Sequence, residues 1–365
     1  MKRHNRLKKH TLGLAAALLV PAGMSQIALA GDSVYVNTSS LRYRTSAQIK
    51  DNNIAGNLSY GQKLERVGTS GQWTMILLNG KKYYVSSAYV TSKKPASAGA
   101  VQTTSQTAAG AQTSGGTAIA LSSNYKYANY SKINSGTATL YRSTASNKKN
   151  KVVCVNAGHG TNGGGSVKTQ CHPDGSAKVT GGTTGAGATS AVAVSSGMTF
   201  ADGTAESKVT LAMAKVLKTK LLNAGYDVLM IRESDDVQLD NIARTVIANN
   251  NADCHIALHW DSTSSNKGAF FMSVPSNATY RAMEPVASHW KQHNQLGESL
   301  ISGLKSAGVK IYSKGSMEMD LTQTSYSTIP SVDIELGDKA SDHSGATLET
   351  LANGLLTGVN TFFGQ

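Results

Sequence analysis

Two hydrophobic rhythms run along this chain of 365 residues. Between residues 31 and 94 apolar positions alternate over short runs, SVYVNTSSLRYRT, GQKLERVG, QWTMILL and KKYYVSS, broken by glycine and asparagine. A period of two predicts half-buried strands, so this stretch reads as a small all-β unit. Asn79-Gly80, lying between TMILL and KKYYV, predicts a two-residue hairpin. Residues 95–123 then lose charge, aromatics and apolar pattern together, which predicts a flexible linker. Beyond it, from 124 to 365, the rhythm changes. VVCVNA is a strand, and ESKVTLAMAKVLKTKLLNAG is a helix with Val209, Met213, Val216 and Leu221 at helical spacing and Gly225 as its stop. YDVLMIR, CHIALHW, GAFFMSV and SVDIEL read as further strands, DNIARTVIANNNA and HWKQHNQLGESLISGLKSAG as helices. Such alternation predicts an α/β domain with a mostly parallel central sheet flanked by helices.

The first thirty residues stand outside both rhythms. MKRHNRLKKH is basic, TLGLAAALLVPAGM is an apolar run too short to span a bilayer, and Ala28-Leu29-Ala30 fits a small-x-small cleavage site. A signal peptide at 1–30 predicts a secreted, cell-wall-associated protein with no membrane attachment after cleavage. Its removal lowers the formal net charge from +13 to +8, of which +6 falls within residues 31–95. A basic exported module suits a polyanionic surface such as a cell wall, not nucleic acid. Three cysteines, Cys154, Cys171 and Cys254, are too few and odd in number for a disulfide framework. Cys154 and Cys254 read as buried thiols on neighbouring strands, with a bridge between them as the alternative.

Candidate chemistry begins with VVCVNAGHG, where a buried strand ends in His159 between two glycines. His259 ends CHIALH in the same way. Carboxyl ends of parallel strands line the ligand crevice of an α/β sheet, so the two histidines are expected to face one crevice. Glu206 opens a helix, where it complements the helix dipole and also points at that crevice. A His-Glu-His set around zinc with water in the fourth place is a catalytic arrangement, and the absence of HExxH means the ligands come from separate elements. Glu335, in IPSVDIELGD, sits on an apolar strand where a carboxylate is costly unless paired or functional. Asp333 shares its face, so either is a candidate working acid. Of the other histidines, His172 reads as a mobile-loop residue, with an extra ligand beside Cys171 as the alternative, His255 as one that packs or hydrogen-bonds, and His289 and His293 as one polar helix face. His343 lies close enough in sequence to Glu335 to touch the site.

Two resemblances follow from these residues. The stretch from LRYRT to SSAYVT, with Gly61, Gly71-Gln72-Trp73, Asn79-Gly80 and Tyr84-Val85-Ser86-Ser87, resembles a bacterial SH3-like (SH3b) domain over nearly its full length. It implies a non-catalytic barrel at 31–94 that holds an enzyme on peptidoglycan. Tyr43, Tyr60, Trp73, Tyr83, Tyr84 and Tyr89 are candidates for its groove, about half of them being core. From Lys151 onward, VVCVNAGHG, AESKVTLAMAKVLKTKLLNAGYDVLMIRESDD, RTVIANNNADCHIALHWDS and PSVDIELGD resemble the zinc-dependent N-acetylmuramoyl-L-alanine amidases of the Amidase_3 type. That resemblance implies His159, Glu206 and His259 as Zn2+ ligands and Glu335 as the catalytic carboxylate. The implied substrate is the amide joining N-acetylmuramic acid to the L-alanine of the peptide stem. Glu335 would take a proton from a zinc-activated water and return it to the leaving amine. Arg232 and Arg244 match positions that look structural. Asn156 stands where the family usually has Asp, Asp333 and Asp338 where it commonly has apolar residues, and the Gly/Ser/Thr-rich insert at 161–205 exceeds the family's common loop. A zinc peptidase acting within peptide stems and a non-catalytic wall-binding protein are the alternative readings.

Overall fold

A computed structural model describes residues 32–36, 40–48, 53–59, 61–94 and 115–365. The leader at 1–30, Tyr60 and the linker residues 95–114 lie outside the described residues. Contacts between Cα atoms divide the chain into two units, 1–107 and 108–365.

In the first unit the alternating runs form β1 (Asp32–Val36), β2 (Ser40–Arg44), β3 (Ile54–Ser59), β4 (Lys63–Ser70), β5 (Trp73–Leu78), β6 (Lys81–Ser86) and β7 (Val90–Thr91). They pair antiparallel in the order β3-β2-β6-β5-β4-β1-β7. The Asn79-Gly80 hairpin is present: Leu78 pairs with Lys81, and φ is 50° at Asn79 and 73° at Gly80. Both values suit the tight turn that matches strand twist. Val34, Val36, Leu41, Leu58, Leu64, Ile76 and Val85 fill the interior. Tyr43 and Tyr83 pack against that core with ring centroids 4.9 Å apart, whereas Tyr89 is 50% exposed.

The second unit holds an eight-stranded sheet ordered β16-β15-β17-β14-β10-β13-β9-β8. Its strands are β8 (Thr117–Ala120), β9 (Thr137–Tyr141), β10 (Val152–Ala157), β13 (Asp227–Met230), β14 (Cys254–Asp261), β15 (Ala269–Ser273), β16 (Ile311–Glu318) and β17 (Ser331–Asp338); β11 (Lys168–Gln170) and β12 (Ser190–Val192) pair separately within the insert. The sheet is mixed, not mostly parallel. Four central strands, β17-β14-β10-β13, run parallel, but β15 is antiparallel to β17, and β8 and β9 are antiparallel at the far edge. Length explains the reversal at β15. Only residues 262–268 join it to β14, too few for the crossover that a parallel strand needs. Strand β8 also shortens the expected linker, because Thr117–Ala120 pair with β9.

Helices cover both faces. Helices α1 (Glu206–Asn223), α4 (Val286–Ser306) and α6 (Gly345–Phe363) pack on Val153, Val155, Ile256, Leu258, Ile334 and Leu336, while α2 (Asn241–Asn251) packs on Cys154, Leu229 and Ile231. Short α3 (Ala278–Ala282) and α5 (Thr322–Tyr326) complete the set. This layering settles the cysteine question. Val153, not Cys154, lies opposite Cys254, so the two thiols point to opposite faces and all three cysteines are free. Among the described residues no helix is long and apolar enough to cross a membrane.

Candidate active site

Strands β10, β14 and β17 are adjacent and parallel, so His159, His259 and Glu335 arrive at one edge of the sheet. Helix α1 begins at that edge with Glu206. Their ligand atoms form a tight triangle. His159 Nε2 is 2.9 Å from Glu206 Oε1 and 3.0 Å from His259 Nδ1, which is 3.2 Å from Glu206 Oε1. The group has the donors and spacing to hold a metal ion.

Local backbone explains why VVCVNAGHG looks as it does. A Cβ on Gly158 would lie 2.2 Å from the His259 ring, so only glycine lets the second histidine close on the first. His159 itself has φ 63°, left-handed backbone that costs a non-glycine residue of order 1–3 kcal/mol. Two buried guanidinium groups hold it there. Arg244 donates to His159 O (2.7 Å), Asn156 Oδ1 (3.1 Å) and Thr161 Oγ1 (2.8 Å). Arg232 donates to Ala157 O and Gly158 O. Asn156 thus serves as a neutral acceptor for Arg244, and the two arginines that looked structural position the loop that carries His159.

Each candidate side chain has a defined partner or a defined lack of one. His159 Nδ1–H donates to Ser195 O at 2.9 Å, which leaves the Nε2 lone pair facing Glu206. Glu206 accepts from Trp260 N (3.0 Å) and Met198 N (2.9 Å). Burial alone would raise the Glu206 carboxyl, but the two imidazoles outweigh it and hold the group well below the usual carboxylate range. Burial likewise opposes charge on His259, yet Asp333, Glu206 and Glu335 carry its pKa up to about 10. Glu335 is 9% exposed and its Oε2 meets no hydrogen-bond partner; burial, reinforced by Asp333, pushes it well above its ordinary value. These residues line a cleft of about 550 Å³ together with Asp333, Met198, Met272, Met317 and Met319.

The insert at 161–205 is an ordered wall of this cleft. Lys178, Gly182, Thr183, Thr184 and Ser195 line it from that side. His172, expected on a mobile loop, is 1% exposed because its ring is clamped between Ser176 Oγ (2.9 Å) and Asp320 Oδ2 (3.1 Å). Asp320 also accepts from Lys178 Nζ (2.9 Å), Val179 N (2.7 Å), Thr180 N (3.1 Å) and the Thr180 hydroxyl. Burial alone would raise this carboxyl, but donors from His172, Thr180 and Lys178 keep it well below the usual range. Removing one partner of a buried ion pair costs about 3–5 kcal/mol. Asp320→Ala is therefore expected to lower the melting temperature by several degrees and to open the 161–205 segment to protease. An unchanged melt would show that the clamp does not hold the insert.

Among the described residues, the remaining histidines stay out of the cleft. His255 is fully buried and meets no partner, and His293 is buried and accepts from Ser331 N (3.0 Å), so it is not part of an exposed polar face with His289. Burial pushes both to about 3, leaving them neutral. His343 lies against Phe200 with the rings tilted by 44° and faces Asp202 at 3.3 Å. Ser195 and Asp320 carried no signal in the sequence; both act through contacts made across long separations.

The sequence profile of the Amidase_3 family, described as N-acetylmuramoyl-L-alanine amidase, matches residues 153–353. Similar solved structures include an N-acetylmuramyl-L-alanine amidase from Mycobacterium smegmatis, with 18% identity over 60% of this chain and 99% of its own, TM-score 0.49. An N-acetylmuramoyl-L-alanine amidase from Clostridium difficile aligns at 16% identity over 59% and 97%, TM-score 0.42. One from Nostoc punctiforme aligns at 15% over 60% and 100%, TM-score 0.42. No curated protein matches the chain.

Proposed function

The chain belongs to the Amidase_3 family of N-acetylmuramoyl-L-alanine amidases, hydrolases of peptidoglycan, and on that premise we propose a zinc enzyme in which His159, Glu206 and His259 hold the ion and Glu335 moves the protons. The observation that carries this reading is the triangle of ligand atoms with sides of 2.9, 3.0 and 3.2 Å. Zinc binds imidazole nitrogen and carboxylate oxygen at about 2.0–2.2 Å in tetrahedral array, which sets neighbouring ligand atoms roughly 3.3–3.6 Å apart, a spacing the triangle reaches by opening a few tenths of an ångström. The donor set fits: two imidazole nitrogens and one carboxylate oxygen converge on one point, the ligand types zinc takes. Bound there, zinc supplies Lewis-acid polarisation of a carbonyl and acidifies water at neutral pH. Glu335, whose free oxygen faces no protein donor, takes the proton of the attacking water and passes it to the departing amine. An unprotonated amine is a poor leaving group, so one carboxyl serves both steps. The bond broken is the amide between N-acetylmuramic acid and the stem L-alanine.

Mass spectrometry of muropeptides after incubation with peptidoglycan, with and without a zinc chelator, tests this. The expected result is chelator-sensitive release of stem peptides with a free L-alanine amine and intact glycan. Cleavage inside the stems would move the activity to a peptidase, and cleavage indifferent to chelation would remove the metal.

Residues 31–94 are proposed as an SH3b domain that holds the cell wall, behind a secretion signal at 1–30. The +6 charge of residues 31–95 and the exposed Tyr89 support that role. A tether raises local substrate concentration without adding a catalytic contact. Deleting 31–94 should therefore weaken sedimentation with insoluble wall more than it slows hydrolysis of a soluble fragment. Equal losses in the two assays would contradict the division of labour.

A further inference from the structure

Asp333 has no assigned task in this chemistry, and its surroundings are unusual for a carboxylate. Strand alternation puts it on the face that bears Glu335, and the β14–β17 register sets Asp333 opposite Ala257 and Glu335 opposite His259. Asp333 Oδ2 stands 3.5 Å from His259 Nε2, and Oδ1 is buried with no hydrogen-bond partner. Its side chain is only 16% exposed. A carboxylate so enclosed is costly unless something compensates it, and His259 is the only ion-pair partner it has among the described residues.

The two nitrogens of His259 face opposite neighbours. Nδ1 turns to His159 Nε2 and Glu206 Oε1, while Nε2 turns to Asp333. An imidazole that holds an ion is neutral and carries one N–H, so a carboxylate beside Nε2 favours the proton there and leaves the Nδ1 lone pair for the ion. His159 is arranged the other way round: its Nδ1–H is taken by Ser195 O, freeing Nε2. Each ligand ring thus has an acceptor behind it, a backbone carbonyl for one and a carboxylate for the other.

We propose that Asp333 is a positioning residue for the metal, fixing the tautomer and tilt of His259 so that Nδ1 is presented beside His159 and Glu206. The inference rests on the metal reading given above. It also separates the two acids of PSVDIELGD: Asp333 backs a ligand, and Glu335 is left free for the substrate side.

Zinc affinity, measured on the full chain by competition with a chromogenic chelator, tests this independently of hydrolysis. Asp333→Leu is expected to weaken Zn2+ binding about 10–100-fold, the range seen when such outer partners of ligand histidines are removed. Asp333→Asn, which keeps a polar oxygen beside Nε2 without the charge, should recover part of that loss. His259→Ala serves as the control for the metal reading. If His259→Ala loses zinc while Asp333→Leu binds like the parent, the positioning role is overturned and the metal site stands. If His259→Ala also binds like the parent, the metal reading itself falls. Should Asp333→Leu not fold, nitrogen-15 NMR of the imidazoles in the zinc-loaded parent decides. A proton on His259 Nε2 with Nδ1 metallated is the expected signature, and the reverse pattern overturns the proposal.

Discussion

Glu335→Gln should lower kcat/KM on a muropeptide by about 10²–10⁴-fold while zinc content and melting temperature stay at parental values. Glutamine keeps the shape of the side chain and loses only the capacity to exchange a proton. The structure isolates that capacity. Glu335 sits between β14 and β15 with Phe270 opposite it, 9% exposed, and its Oε2 has no donor to satisfy. Burial and the neighbouring Asp333 raise it well above its ordinary value, so it is not locked in the ionised form as a salt-bridged carboxylate would be. The sign of the pH dependence follows. A base works when deprotonated, so activity falls as pH falls through the raised pKa, and the acid limb of kcat/KM should lie above the usual carboxylate range. Glu335→Gln should erase that limb along with the rate. Full activity in this variant would transfer the base to Asp333.

Much of this was legible in the sequence, and the parts that were not share physical causes. Helices α1 and α2 and the four parallel strands show because each buries a regular set of apolar residues. His159, His259 and Glu335 show because a polar residue at the end of an apolar strand is conspicuous. Helix α6 is harder to read: Gly354 and Gly358 weaken its helical signal, and their purpose lies in a different element. A Cβ on Gly303 of α4 would meet Gly354 O at 2.2 Å, so the small residues permit two helices to touch. The insert is illegible for a similar reason. Its Gly, Ser and Thr content does not tell an ordered lid from a disordered segment, and the ordering contact comes from Asp320, more than a hundred residues away, which collects its amides, its lysine and His172 into one buried knot. Sheet direction at β15 depended on counting the connection, not on the strand's own pattern.

Glu206→Ala is expected to remove zinc and to cut hydrolysis by about 10³-fold or more, since a metal contributes several kcal/mol to stabilising charge in the transition state. The effect should exceed the loss of one ligand because this carboxylate is shared. Oε1 faces both imidazoles and accepts from Trp260 N, and Oε2 accepts from Met198 N. Alanine leaves His159 Nε2 and His259 Nδ1 3.0 Å apart with no Glu206 carboxylate beside them, and it leaves two backbone amides without that acceptor. Glu206→Asp distinguishes the two consequences. It keeps the charge but withdraws it by one methylene, so affinity should fall while excess zinc restores part of the activity; with Glu206→Ala no zinc concentration should restore the parental rate. If Glu206→Ala retained stoichiometric zinc, the ligand set would have to be rebuilt around Asp333, the remaining carboxylate within reach of His259. If it lost zinc but not activity, hydrolysis would have to proceed through Glu335 alone, and the triangle of 2.9, 3.0 and 3.2 Å would be a structural knot at the mouth of the sheet.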